Sequence, residues 1–349
     1  MVSAPTNAFA SLSFERTLDK PFFVSDTLDK PFFVSEWDHA WPDEWRAESP
    51  LAYAAVGAFQ GWSGFTIHTY RYSTWVPEDR LGGGASTING ITYRNHFDAF
   101  NDPAKFGLFY HTALLFRRGD VRPGEQRVAI DIPDEWPDWR LKRPGDIPAL
   151  TLLPEVHRMG LALPGASCEA EAVVPPDQPT VDPAAGEVFS DTGELYRSWT
   201  RRYGWIDTAR TKAAYGFLGQ AGRIDLQGLS LEVETDFAVI ALSSLTDEPI
   251  ERSDSLLLTA VGRCDNAGAR YDEGHTRQFD PGHAPVLIEA IEAQIEMKTD
   301  RPNLKVWVIS EQAEAVARLP TEYREGRLGF RIGPQPSWNP STTYYLIKI

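Results

Sequence analysis

The first clear pattern of apolar and polar positions is a run of four apolar residues that ends in a carboxylate. Residues 31–34 are Pro-Phe-Phe-Val, and Ser35, Glu36 and Trp37 follow directly. A short apolar run bounded in this way is typical of a strand that is buried on both faces of a parallel sheet. Chemistry in such sheets lies at the carboxyl ends of the strands, where Glu36 is placed. A glutamate that caps the next loop, or that pairs with Arg46, would explain the same position without a function.

A helix and a second strand are predicted next. Ser49 and Pro50 form a typical helix start, and residues 51–60 are rich in alanine, which allows close packing on a sheet. Residues 65–72 then predict a strand that ends in polar and aromatic side chains. The order strand, helix, strand indicates a βαβ unit. A further helix is predicted from Asp102 to about Arg118, with Asp102 as its cap.

The pattern changes twice in the remainder of the chain. Residues 119–187 contain a predicted strand at 128–132 and a possible short helix at 150–159, but prolines are dense, which favours loop or polyproline structure. Residues 188–349 contain short strand-like runs separated by Gly, Asp and Asn turns, which predicts an antiparallel β-sandwich. These runs are 224–231, 237–243, 255–261, 286–295, 305–309, 328–332 and 344–349. We therefore expect three parts, 1–118, 119–187 and 188–349.

Composition narrows the range of partners. The chain has 349 residues, enough for two domains, and a formal net charge of −15. Nucleic acids and anionic membrane surfaces select basic patches, so this charge argues against both. The 11 Trp, 12 Tyr and 18 Phe are often interleaved with Asp, His and Arg. That mixture suits a neutral polar ligand with apolar faces, such as a sugar, although ordinary core packing accounts for most of the Phe.

No cofactor, metal ion or membrane span is indicated. Cys168 and Cys264 are the only cysteines, which excludes a disulfide framework and a cysteine zinc site. The seven histidines do not have the spacing of a metal motif such as HExxH. Residues 1–10 lack the basic start and apolar core of a signal peptide. No apolar run is long enough to cross a bilayer.

The stretch after Glu36 has the composition of a substrate-binding loop. Residues 37–50 contain three tryptophans together with several acidic residues. Loops at the mouth of an α/β barrel carry substrate contacts, and flat indole faces can stack on sugar rings. Trp37, His39 and Trp41 are therefore candidate sugar-binding residues. A packed surface loop that uses its tryptophans as hydrophobic clamps is the alternative.

Three pieces of sequence in this order resemble a known family. They are the segment Lys30 to Trp37 followed by an alanine-rich helix, then Gln60-Gly61-Trp62, then a strand that ends His68-Thr69-Tyr70. Together they resemble the seventh and eighth βα units of a clan A glycoside hydrolase, a retaining (β/α)8 barrel, over roughly residues 8–118.

The resemblance implies a catalytic role for one residue and binding roles for three others. Glu36 corresponds to the nucleophile that ends the seventh strand in that clan. His68, Tyr70 and, with a less direct correspondence, Tyr72 correspond to the aromatic cluster that lines the neighbouring sugar subsite. The implied ligand is an oligosaccharide or polysaccharide, and the implied fold is the last βα units of a barrel followed by an antiparallel β-sandwich.

One departure from the clan pattern changes the functional expectation. The acid/base glutamate of the clan usually follows an asparagine, and no Asn-Glu pair occurs in this chain. Residues 1–26 cannot hold six βα units. Retaining hydrolysis needs two carboxyl groups about 5–5.5 Å apart. We therefore expect the carboxy-terminal portion of a larger enzyme, whose acid/base residue comes from a missing barrel segment or a second chain. The cellular location stays open, with secretion of the larger enzyme as one option.

Two further features leave alternatives open. Residues 17–26 and 27–36 are a tandem repeat with nine of ten positions identical, and only the second copy leads into the tryptophan-rich loop. The first copy is either an extra strand, an extruded loop or a cloning artefact. Asp191-Thr192-Gly193 matches the aspartic protease signature, but a protease needs two such motifs. We expect Asp191 to bond turn amides instead. The main alternative to a hydrolase is a non-catalytic carbohydrate-binding or structural β-sandwich.

Overall fold

The fold is known from a computed structural model that describes residues 31–71, 97–135, 147–163, 165, 168–275, 277–334 and 342–349. The first copy of the tandem repeat and Tyr72 lie outside the described residues. These described residues contain four α-helices, namely α1 (Ser49–Gln60), α2 (Pro103–Phe106), α3 (Phe109–Arg117) and α4 (Leu153–Val156). The strands are β1 (Phe33–Trp37), β2 (Gly64–Ile67), β3 (Arg127–Asp131), β4 (Arg158–Ala162), β5 (Ala172–Val174), β6 (Glu187–Phe189), β7 (Leu195–Ser198), β8 (Tyr203–Asp207), β9 (Thr211–Gly216), β10 (Arg223–Leu226), β11 (Leu229–Val233), β12 (Ala238–Ser244), β13 (Ser255–Val261), β14 (Cys264–Ala267), β15 (Arg270–Tyr271), β16 (Gln278–Asp280), β17 (His283–Ile288), β18 (Ala293–Lys298), β19 (Lys305–Ile309), β20 (Ala315–Arg318), β21 (Glu322–Arg324), β22 (Arg327–Ile332) and β23 (Tyr344–Lys348).

Two antiparallel sheets form the largest part of the described structure. A nine-stranded sheet has the order β20-β19-β23-β13-β12-β9-β8-β7-β6, and a five-stranded sheet has the order β10-β11-β18-β22-β21. One hydrophobic core contains residues from both sheets, including Ile240, Leu258, Ile295 and Phe330. The predicted antiparallel β-sandwich is therefore confirmed. The predicted single strand 286–295 is wrong, because it is divided between β17 and β18.

The predicted βαβ unit is present near the beginning of the described chain. Strands β1 and β2 pair in parallel, with Phe33 beside Gly64 and Val34 beside Phe65, and α1 connects them. These two strands form a sheet of their own. The described part of the chain is thus mainly antiparallel β structure, and its isolated β1–β2 pair does not fit the expected remnant of a (β/α)8 barrel.

Strand β1 differs from its prediction in burial. Its burial is interrupted rather than continuous, since Val34 and Trp37 are buried whereas Phe33, Ser35 and Glu36 are exposed. The prediction of a strand buried on both faces is therefore wrong. The apolar run cannot by itself ensure burial of Phe33, because burial requires a neighbouring element on that side of the strand.

Helices α1 and α3 cover the second face of the nine-stranded sheet. Leu51 and Phe59 of α1 and Leu115 of α3 belong to one core with Val239 and Val261 of the sheet. Helix α1 is buried at every position, which explains its many alanines, because small side chains let it approach both the sheet and the β1–β2 pair. The nine-stranded sheet therefore lies between the helices and the five-stranded sheet.

The proline-rich segment contains more regular structure than predicted. The expected strand at 128–132 is present as β3, and it pairs in parallel with β4 and β5. The expected helix at 150–159 is only the short α4, because the chain enters β4 at Arg158. These strands share a small core that includes Ile130 and Met159.

A buried histidine connects α3 to the nine-stranded sheet. Nδ1 of His111 lies 2.7 Å from Oγ of Ser243, and its Nε2 lies 2.8 Å from Oγ1 of Thr259. Oγ of Ser243 also lies 2.7 Å from Oγ1 of Thr211, which donates to the Asp120 carboxylate at 2.7 Å. His111 is fully buried, and this burial lowers its pKa to about 3. The network resembles a Ser–His arrangement, but its burial gives it a structural role.

We expect the stability difference between the wild type and the His111→Gln variant to depend on pH. The unfolded state binds a proton at His111 near pH 6.5 and the folded state only near pH 3, so the wild type loses stability as pH falls through this window. The loss should approach about 1.4 kcal/mol per pH unit below pH 6. Urea unfolding of both proteins at pH 7, 5.5 and 4.5 measures it. A difference that does not change with pH would show that burial of neutral His111 is not pH-linked.

Candidate functional site

The candidate site lies where the two parallel strands end. Since β1 and β2 run in the same direction, their carboxyl ends meet at one edge, and Glu36 and His68 emerge there side by side. Oε1 of Glu36 lies 4.0 Å from Nδ1 of His68. The Glu36 side chain is 59% exposed and the His68 side chain 36% exposed. The site is therefore an accessible carboxylate next to an imidazole.

Aromatic rings continue this surface beyond His68. The His68 ring lies edge-on to Phe97, with 5.3 Å between the centroids. The exposed ring of Tyr70 lies 6.2 Å from Phe100 and 6.0 Å from Phe106. Glu36 and His68 thus lie side by side, whereas Tyr70 follows three residues after the end of β2, which stops at Ile67 rather than at the predicted residue 72.

The two tryptophans predicted to stack on a sugar are not accessible, and this expectation is corrected. Trp37 is buried and stacks on Tyr53 of α1, with ring centroids 4.3 Å apart. Trp41 is fully buried, and its Nε1 donates to Oδ1 of Asp265 at 2.8 Å. Strict alternation would place Trp37 on the side of the exposed Phe33 and Ser35. The pairing of β1 with β2 shifts register between Val34 and Trp37, and this irregularity lets both side chains lie in one core. These indoles act as clamps that hold the loop.

His39 and Arg46 both pair with carboxylates other than Glu36. Nδ1 of His39 lies 3.3 Å from Oδ2 of Asp43, within the same loop. Arg46 does not pair with Glu36, since its guanidinium binds the Asp102 carboxylate at 2.7 and 3.2 Å. The alternative in which Glu36 is occupied by Arg46 is therefore wrong.

Buried charge pairs support the loop that follows Glu36. Nζ of Lys105 donates to both carboxylate oxygens of Asp38 at 2.9 Å, and both side chains are buried. Burial raises the pKa of Asp38 to about 6, and the Lys105 ammonium opposes that rise. Asp102 also caps α2, as predicted, because its Oδ1 accepts from the amide of Ala104 at 3.2 Å. Sequence analysis missed the Asp38–Lys105 pair, since no local pattern connects residues so far apart.

The same loop is fixed to the two-stranded sheet formed by β14 and β17. Nη2 of Arg46 donates to the carbonyl oxygen of Cys264 at 2.7 Å, at the start of β14. The Trp41–Asp265 hydrogen bond reaches the next residue of that strand. This small sheet therefore helps to hold the loop that follows Glu36.

The Asp191-Thr192-Gly193 segment has a structural role. Asp191 accepts hydrogen bonds from the amides of Glu125 at 3.0 Å and Gln126 at 2.9 Å, and it lies 3.0 Å from Nδ1 of His157. These contacts hold the segment that leads into β3. The Asp191 carboxylate is thus occupied by backbone amides, although from another segment rather than from its own turn.

The described residues contain neither a metal-ligand cluster nor a membrane-spanning helix. In residues 31–71, 97–135 and the later described ranges, no group of three His, Cys, Asp or Glu side chains could hold a metal ion. Over the same ranges, no helix is both long enough and apolar enough to cross a membrane.

Comparison with known proteins does not place the chain in a family. No protein-family model matches it, and no curated protein matches it significantly. Among solved structures, the CS-b5R domains of human Ncb5or in the NAD+ form align with 42% of this chain and 58% of that one, at 11% identity and a TM-score of 0.10. A similarity at this level supports no conclusion about fold or function.

Proposed function

We propose that this chain is the nucleophile-bearing, carboxy-terminal portion of a retaining glycoside hydrolase that acts on β-glycosides or β-glycans. One observation supports this most strongly, namely the exposed Glu36 carboxylate at the carboxyl edge of a parallel strand pair, 4.0 Å from His68. Ligand sites in parallel α/β structures lie at this edge. The exposed ring of Tyr70 supplies an apolar surface in the same region.

The proposed chemistry assigns one step to Glu36. Its carboxylate attacks the anomeric carbon and forms a covalent glycosyl ester while the leaving group departs. Because Nδ1 of His68 lies 4.0 Å from Oε1 of Glu36, beyond hydrogen-bond distance, we assign His68 to a sugar hydroxyl next to the nucleophile. A second carboxyl group must protonate the leaving oxygen and then activate water, and we assign it to a polypeptide segment outside this sequence.

A test follows from the separate needs of the two steps. A 2,4-dinitrophenyl β-glycoside has a leaving group that departs without protonation, so Glu36 alone should form the glycosyl ester. Hydrolysis of this ester by water then lacks its general base, which typically raises the rate of such a step by about 10²–10⁴-fold. Azide needs no such base, so it should raise dinitrophenolate release about tenfold or more and yield a β-glycosyl azide. Absorbance measures dinitrophenolate release, and product analysis identifies the glycosyl azide. Glucosyl, galactosyl and mannosyl substrates are tested in turn.

Two results would contradict the proposal. The first is the absence of azide-dependent release with all three sugars. The second is equal release by the wild type and the Glu36→Gln variant. Rapid hydrolysis of an unactivated β-glycoside by the chain alone would overturn the narrower statement that the acid/base group lies elsewhere.

A non-catalytic sugar-binding or structural module is the second candidate function. Trp37 and Trp41 are buried, so neither can contact a sugar near Glu36. The loss of these two expected contacts favours this candidate over a hydrolase. The β-sandwich also contains the largest core of the described chain. Sugar binding without any azide-dependent reaction would favour this candidate.

A further inference from the structure

A row of aromatic side chains crosses three neighbouring strands at one end of the nine-stranded sheet. In the strand register, Phe189 of β6 lies opposite Tyr196 of β7, and Tyr196 lies opposite Trp205 of β8. The Tyr196 and Trp205 rings stack, with centroids 5.2 Å apart and 21° between their planes. Phe189 lies 4.7 Å from Tyr196 and 6.2 Å from Trp205. The three rings therefore form one continuous aromatic surface.

The outer part of this surface is open to solvent. Strand β6 is the edge strand of its sheet, and Phe189 is 49% exposed. Trp205 is half-buried, whereas Tyr196 is buried beneath the other two rings. Ordinary core packing explains Tyr196, but it does not explain a phenylalanine that leaves half of its surface in water next to an indole.

Polar side chains flank the rings on the same face of the sheet. Because side chains two positions apart share a face, Glu187 lies beside Phe189 and Asp207 lies beside Trp205. Oε2 of Glu187 accepts from the Tyr196 hydroxyl at 2.8 Å. Asp207 pairs with Lys212, and its Oδ2 accepts from the amide of Gln227 at 2.7 Å. Fixed carboxylates thus stand on two sides of an apolar strip.

We propose that the accessible rings of Phe189 and Trp205, supported by the buried ring of Tyr196, bind a ring of a neutral polysaccharide. A sugar ring has an apolar C–H face that can lie on aromatic rings and a rim of hydroxyls that can donate to carboxylates. The flanking Glu187 and Asp207 carboxylates match such hydroxyl donors. They would repel an anionic glycan, as would the net charge of −15. This surface is distinct from Glu36, so the inference does not depend on the proposed catalytic role.

Affinity electrophoresis tests the inference with defined probes. Native gels would contain barley β-glucan, galactomannan, xylan or agarose as neutral probes, and alginate as the anionic one. We expect retardation by at least one neutral glycan and none by alginate. The Phe189→Ala variant should bind that glycan at least about tenfold more weakly, as expected for loss of the most exposed aromatic contact. Phe279→Ala is the matched control, since Phe279 is an equally exposed phenylalanine, at 57%, on β16.

A second variant protects the test against loss of folding. Trp205→Phe keeps an apolar ring but reduces the area of the aromatic surface. It should weaken glycan binding while the thermal midpoint of unfolding stays near that of the wild type. Absence of binding to every neutral probe would overturn the inference, and so would equal binding by Phe189→Ala and the wild type. Binding that survives both substitutions but is lost in Glu36→Gln would also overturn it, while supporting the Glu36 site.

Discussion

Replacing Arg46 with alanine should lower the free energy of unfolding by about 3–5 kcal/mol, the usual cost of removing one partner from a buried ion pair. Arg46 and Asp102 are both almost fully buried, and two hydrogen bonds join them. Arg46 also donates to the carbonyl oxygens of Asp43 at 2.8 Å and Cys264 at 2.7 Å. Its loss leaves the Asp102 charge in the interior without the guanidinium and detaches the candidate-site loop from β14. Urea unfolding at pH 7 measures the effect.

Two further variants separate the charge effect from general truncation. Arg223→Ala removes an exposed arginine that pairs with Asp225 and Glu232, and it should cost about 0.5 kcal/mol or less. The double variant Arg46→Met/Asp102→Asn removes both buried charges and should recover part of the loss. A cost below about 1 kcal/mol for Arg46→Ala would show that this ion pair does not hold the loop in place.

Local sequence patterns predicted the β-sandwich because its central strands are recognisable from their own residues, without knowledge of their partners. The runs 237–243 and 255–261 match β12 and β13 almost to the residue, since each is a compact apolar segment between turns. The break between β17 and β18 was not predictable in this way. It falls within residues 286–295, where apolar and acidic positions alternate without any proline or glycine.

The candidate site was predictable only to the extent that strand direction determines it. Glu36 and His68 meet because a βαβ crossover brings the carboxyl ends of β1 and β2 together. The orientation of Trp37 depends on which face of β1 meets α1, and a sequence does not show this. The Arg46–Asp102 pair joins residues 56 positions apart, so only the folded chain reveals it.

Replacing Glu36 with glutamine should abolish covalent labelling by a fluorinated substrate. A 2,4-dinitrophenyl 2-deoxy-2-fluoro-β-glycoside has a leaving group that needs no acid, while its fluorine slows breakdown of the glycosyl ester. The Glu36 carboxylate should attack the anomeric carbon, whereas a glutamine amide is a poor nucleophile. Labelling should fall by about 10³-fold or more. Glu322→Gln should label like the wild type, because Glu322 has a similarly exposed side chain, at 61%, on β21.

The most direct test of the account is to identify the labelled residue by mass spectrometry. The wild-type chain would be incubated with the gluco, galacto and manno forms of the fluorinated reagent, digested and mapped. The account predicts one added fluoroglycosyl group per chain, located on Glu36 and absent from the Glu36→Gln variant. An unlabelled chain with all three reagents, or a label located on another residue, would contradict it.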